Sequence, residues 1–246
     1  MNQHRLRYSE AIKQARARGE DSFQGWFDTS ASVEQSILAG YWDLSFHILK
    51  AKVCEYLSNP QDKIALEIGY GGGRILNAAC SYFKEVVGID IHEEQETVEK
   101  FLRSQHKSNF KLIKTLGDKI EVDSGSVDFV YSFIVLQHLP IFDNFVGYIR
   151  ETYHCLRPGG VAQLYFGRYS KLSPLDRVVN FPKGYKEIKN ADVNCTSLVI
   201  KVGKVKKICR DNGFKILEVG PSYKGVPTGY PKRLGGQNYI TLLKSF

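Results

Sequence analysis

Residues 65–74 read ALEIGYGGGR: an apolar run closed by Glu67 and Ile68, then glycines at 69, 71, 72 and 73, then Arg74 opening an amphipathic stretch. Glycines there let the backbone turn sharply and approach a ligand closely, and a helix starting just after them points free N–H groups at it. The next apolar run, Val86 to Asp90, ends in a carboxylate twenty-one residues after Gly69. A carboxylate at that place suits the hydroxyls of a ribose. The spacing is E-x-G-x-G-x-G rather than the dinucleotide pattern G-x-G-x-x-G. Glu67, just before the glycines, repels a pyrophosphate and suits a ligand carrying positive charge.

Outward from this loop, short apolar runs alternate with longer amphipathic stretches, the mark of a parallel α/β sheet. The pattern predicts strands at 64–68, 86–90, 110–114, 127–133, 160–166, 214–219 and 239–243. It predicts helices at 74–83, 93–105, 141–155 and 197–212. Asn212-Gly213 supplies a stop for the last helix. Two segments break the rhythm. Residues 1–60 hold a predicted helix at 32–57 and read as a helical cap beside a domain spanning 61–246. Residues 168–196 form an insertion punctuated by Ser173-Pro174 and Phe181-Pro182, and a segment of this length is more often functional than filler.

Composition narrows the class. The 246 residues are 43% hydrophobic and 24% charged, enough to bury a core, and no run reaches the ~20 apolar residues of a membrane span. The start of the sequence is polar, so a cytoplasmic location is expected. Five scattered cysteines show no metal-ligand spacing, and no metal is expected. The net charge of +8 is uneven: residues 1–160 carry 18 Lys+Arg against 21 Asp+Glu, residues 161–246 carry 16 against 5. The basic last third points to an anionic partner or to a solvated lysine face.

Taken together, EIGYGGG, then VVGID at 86–90, LGD at 116–118, VDFVYSFIVLQHLP at 127–140 and LRPGG at 156–160 resemble the class I S-adenosylmethionine-dependent methyltransferases, nearest their small-molecule group. The resemblance runs from about residue 63 to 166. It implies a Rossmann-like, doubly wound sheet of seven strands, the last antiparallel, and S-adenosyl-L-methionine as cofactor with S-adenosyl-L-homocysteine as product. By position it implies that Glu67, Gly69, Tyr70 and Gly71 line the methionine end. Asp90 would hold the ribose, Ile91, Asp118 and Lys119 the adenine, and Ser132 and Phe133 the place where donor and acceptor meet. Arg168, Lys171 and Arg177, with Tyr223, Lys224, Tyr230, Lys232 and Arg233, fall in loops expected on the same edge and are candidates for an anionic acceptor, with charges that simply face water as the alternative. His138 is the candidate general base, with a hydrogen-bonded structural role as its alternative. Trp26, Phe27, Tyr41 and Trp42 read as an aromatic lid or as core. The expected activity is methylation of O or N on a small, anionic or sugar-linked metabolite. An RNA or protein methyltransferase and a non-catalytic cofactor-binding partner protein are the competing readings.

Overall fold

The computed structural model describes residues 3–117, 119–189, 191–223 and 234–246. The chain opens with α1 (Gln3–Ala17), α2 (Glu20–Asp28) and α3 (Val33–Asp43), followed by a π-turn at Leu44–Ile48 and α4 (Ala51–Cys54). Strand β1 (Ile64–Ile68) then leads through the glycine loop into α5 (Arg74–Ala79). Next come β2 (Glu85–Asp90), α6 (Gln95–Ser104), β3 (Phe110–Lys114), β4 (Val127–Ser132), α7 (Phe142–Cys155) and β5 (Leu156–Gly167). A short helix α8 (Pro174–Val179) and a small antiparallel pair, β6 (Tyr185–Glu187) and β7 (Leu198–Ile200), precede α9 (Val202–Asp211), β8 (Phe214–Tyr223) and β9 (Leu234–Lys244).

The main sheet has seven strands in the order β3-β2-β1-β4-β5-β9-β8. Strands β1 to β5 pair parallel, and β9 runs antiparallel to both β5 and β8. This is the expected Rossmann-like sheet. Its strands are buried on both faces, so their sequences read as near-continuous apolar runs. One face packs Leu66, Ile68 and Val130 against Phe145 and Ile149 of α7 and Val205 and Cys209 of α9. The other packs Ala65, Val86 and Phe129 against α5 and α6, and here Ile12, Phe23, Leu44, Ile48 and Val53 of the first helices join the same core. Strand order reverses between β1 and β4, and ligands of open α/β sheets bind beyond the carboxyl ends at that point.

Several elements differ in length from the prediction: β5 starts at Leu156 rather than 160, β9 at Leu234 rather than 239, β8 runs to Tyr223 and α5 ends at Ala79. Three regions differ in kind. The helix predicted at 32–57 is broken, because the Leu49 N–H reaches back five residues to the Leu44 carbonyl (2.8 Å) and the His47 carbonyl accepts the Tyr165 hydroxyl (2.7 Å). The helix predicted from Ser197 begins at Val202, since Leu198–Ile200 pairs with Tyr185–Glu187. The 168–196 segment is not wholly irregular. Ser173 caps α8 by accepting the Asp176 N–H at 3.1 Å, with Pro174 in the first turn. Among the described residues no helix is long and apolar enough to cross a membrane, and no metal-binding cluster occurs.

Candidate active site

A cavity of about 640 Å³ opens at the carboxyl ends of β1, β2 and β4. Its floor is the glycine loop. Gly69 and Gly71 have φ of 79° and 52°, a region that L side chains rarely adopt, and a Cβ on Gly71 would lie 2.8 Å from the Phe27 ring. The third glycine of the run answers to α2: a Cβ on Gly72 would strike the Gln24 amide, whose Nε2 donates to the Gly72 carbonyl at 2.9 Å. The first helices therefore lie directly on the loop.

Glu67, at the end of β1, is buried and lines the cavity, and accepts the Tyr131 hydroxyl at 3.0 Å. Burial pushes its carboxyl up to about 8, against the lowering effects of the Tyr131 hydrogen bond and of Arg74. At neutral pH it is mostly uncharged until a cation arrives. Asp90, ending β2, is fixed by the Gly71 N–H on Oδ2 (2.8 Å) and the Ile91 N–H on Oδ1 (2.6 Å). Oδ1 also lies 3.4 Å from the His92 N–H, and the second lone pair of Oδ2 leaves the carboxylate able to accept a hydroxyl donor. Tyr70, Ile91, Leu116, Gly117, Val135 and Leu139 also line the cavity and give it the apolar surface that a nucleobase requires.

The cavity continues past β4. Phe133 lines the cavity there, stacked on the His47 ring with centroids 4.7 Å apart. The next residue, Ile134, has φ of 59°, an outlier for a β-branched side chain and a type of strain that clusters at functional sites. His47 sits inside the π-turn, is only 7% exposed, and has Nε2 3.7 Å from Asp43 Oδ1. Burial lowers its pKa, partly offset by Asp43, so the imidazole is neutral at neutral pH. Asp43 also holds Arg74 Nη1 at 2.6 Å, and Asp28 lies 3.4 Å from Arg74 Nε. His47, Asp43, Asp28 and Arg74 all line the cavity.

His138 lines the cavity as well, and both ring nitrogens have partners. Nδ1 lies 2.8 Å from the Cys195 carbonyl, which only an N–H can satisfy, so Nε2, 3.1 Å from the Gln137 amide nitrogen, is the acceptor. The same contact draws the 168–196 segment over the cavity. There the Asn194 N–H meets the Tyr8 hydroxyl (3.1 Å) and the Asn194 amide donates to the Trp26 carbonyl (3.0 Å). Trp26 packs edge-on against Phe27 and Tyr8, completing a roof from three parts of the chain.

The remaining sequence candidates separate. Ser132 is fully buried and donates to the Ile68 carbonyl at 3.2 Å, a sheet contact away from the cavity wall. The Lys119 side chain is exposed and its carbonyl accepts the Thr115 hydroxyl; Leu116 and Gly117 form the wall instead. Arg168 is buried behind the wall, with Nη2 donating to the Ser222 and Gln237 carbonyls at 3.1 and 2.8 Å. It thereby ties β8 to β9. Tyr223 lines the cavity. Asp118, Lys224, Tyr230, Lys232 and Arg233 lie outside the described residues. Sequence reasoning missed His47, Asp43, Asp28 and Asn194. Asp43 and His47 stand four apart in the sequence, a helical pair, but the π-turn that aims them inward leaves no signal in composition.

Residues 66–164 match the family model described as a methyltransferase domain. The chain has no match among curated proteins. Its fold resembles several solved structures at low identity. An S-adenosylmethionine-dependent methyltransferase from Methanosarcina mazei is 22% identical, with a TM-score of 0.61 over 80% of this chain and 99% of that one. One from Aquifex aeolicus is 14% identical, with a TM-score of 0.55 over 86% and 97% of the two chains. One from Mesorhizobium loti is 15% identical, with a TM-score of 0.55 over 77% and 94%.

Proposed function

We propose that this chain, whose residues 66–164 match a methyltransferase domain, uses S-adenosylmethionine to methylate an oxygen or nitrogen of a small molecule held in the roofed cavity. The observation that carries this reading is the roof itself. Tyr8, Trp26 and Asn194 join the N-terminal helices and the 168–196 segment across the space in front of the cofactor residues. A folded RNA or protein surface needs an open approach to that space, and a metabolite does not. Residues 1–60 act here as the cap.

S-adenosylmethionine, when bound, supplies a methyl group already activated on a sulfonium. The chain's part is to bind, orient and exclude water. Glu67 and the Asp28–Arg74–Asp43 cluster face the charged methionine end: Arg74 suits its carboxylate, and the acids suit its ammonium. Asp90, pre-oriented by two backbone N–H groups, takes the ribose hydroxyls. Ile91, Leu116, Val135 and Leu139 take the adenine.

Where the acceptor must lose a proton, the geometry favours His47 over His138. His47 is neutral, stands beside Phe133 and has Asp43 near to stabilise the imidazolium; both nitrogens of His138 already serve the Cys195 and Gln137 contacts. His138 then acts by holding the roof. Arg5 and Arg74 are the cationic Lys or Arg side chains among the described lining residues, and Arg74 is engaged by two carboxylates.

The experiment is a screen of amines, phenols, phosphorylated sugars and nucleotides for formation of S-adenosylhomocysteine. Turnover with a metabolite and none with total RNA or protein supports the reading. Turnover confined to RNA or protein overturns it.

A further inference from the structure

Among the described residues, no Lys or Arg of the last third of the chain lines the cavity. That charge surrounds a different feature. On α8 and the residue pair after it, Leu175, Val178, Val179 and Phe181 expose between 66% and 74% of their surface. The first three are spaced i, i+3 and i+4 and share one helix face. Four large apolar side chains within seven residues, all exposed, depart from the scattered exposure normal for a soluble surface. None of them lines the cavity.

Cations form a collar around this knob. Lys171, Arg177 and Lys183 are exposed, and Lys201 Nζ donates to the Phe181 carbonyl at 3.0 Å while lying over its ring. Residues 168–211 carry 11 Lys+Arg against 4 Asp+Glu. Three of the four carboxylates that would temper them are engaged: Asp176 by Lys186, Asp211 by Lys207, and Glu187 by the Phe142 N–H.

We propose that α8 with Phe181 docks this chain on an anionic lipid surface. The apolar side chains enter the headgroup region, and the collar faces the acidic headgroups. Charge complementarity selects this occupant. A second copy of the chain, meeting the knob about a two-fold axis, would bring the two cationic collars together, which like-charge repulsion disfavours. The four apolar side chains are all exposed, and so are available for insertion between lipids. The collar reaches the cavity rim, because Lys171 Nζ lies 3.3 Å from where a Cβ of Gly236 would stand, and Gly236 lines the cavity. The proposal stands independently of the identity of the methyl acceptor.

The test is flotation of the full chain with vesicles of phosphatidylcholine alone and with about one third phosphatidylglycerol, an anionic fraction that attracts basic segments. The expected result is binding to the anionic vesicles, weakened by salt, and little binding to the neutral ones. The triple variant V178S/V179S/F181S and the charge variant R177E/K183E should each bind at least about tenfold more weakly. Both should retain wild-type affinity for S-adenosylmethionine, since these residues lie outside the cavity lining. Three results would overturn the proposal: no flotation of the wild type, flotation indifferent to the apolar substitutions, or a wild-type dimer in sedimentation that the triple variant converts to monomer.

Discussion

Glu67→Gln gives the sharpest consequence of the site's electrostatics. Burial raises the Glu67 carboxyl in the folded chain to about 8 from an ordinary value of 4.5. A group raised on folding contributes stability that is whole below its unfolded value and is lost as pH climbs to the folded one. Between those limits the folded chain holds a proton that the unfolded chain has released, so stability falls by about 1.4 kcal/mol per pH unit. From pH 5.5 to 7.5 the loss amounts to roughly 2.5 kcal/mol, and above pH 8 it levels off. The glutamine is isosteric and still accepts the Tyr131 hydroxyl, but has no proton to lose. Urea unfolding of both proteins across pH 5 to 9, taken as the difference at each pH, removes contributions from the other titrating groups. That difference should move by about 2.5 kcal/mol in favour of the variant between pH 5.5 and 7.5. Parallel stability curves would refute the buried, protonated Glu67 and the cation-binding role built on it.

Other outcomes follow from the same geometry. Since the ionised form of Glu67 attracts the cofactor's positive charge, S-adenosylmethionine affinity should rise with pH toward 8, and calorimetry in buffers of different ionisation enthalpy should show proton release on binding at pH 7; no release would contradict the link. Asp90→Ala removes the acceptor held by Gly71 and Ile91 and should weaken cofactor binding by about 1 to 3 kcal/mol, or about fivefold to 150-fold in Kd, with unaltered affinity clearing Asp90 from the site. Gly72→Ala forces the Gln24 side chain aside and should cost about 1 to 3 kcal/mol in thermal or urea unfolding; a neutral effect would show that α2 is not seated on the loop. His47→Asn should lower kcat for a proton-bearing acceptor and remove the acid limb of its pH profile while leaving cofactor affinity within about twofold, whereas His138→Asn should mainly raise KM through a loosened roof. Equal effects of the two substitutions on the pH profile would count against the division of roles.

Much of the fold was legible because parallel strands buried on both faces leave apolar runs, and each central strand predicted from sequence lies within a residue or so of its place at one end or both. The glycine loop and Asp90 were legible for a related reason: backbone geometry restricts which residues can stand there. What stayed hidden depended on distant contacts. The break at Leu44–Ile48 is fixed by Tyr165, more than a hundred residues away, and it turns His47 toward Phe133. Arg168 read as an anion clamp because its charge was visible and the carbonyls of Ser222 and Gln237 that occupy it were not. The roof joins Tyr8, Trp26 and Asn194, a juxtaposition that no periodicity encodes. The triple glycine, ambiguous in sequence, has its explanation in Gln24 and Phe27 above it.

Titration calorimetry of the full chain with S-adenosylmethionine and S-adenosylhomocysteine, with NAD as control, tests the central claim most directly. Micromolar binding of the first two, lost or much weakened in Asp90→Ala, with no heat from NAD, is the result expected of this cavity. Absence of binding by either adenosyl ligand, or binding indifferent to Asp90, would contradict it.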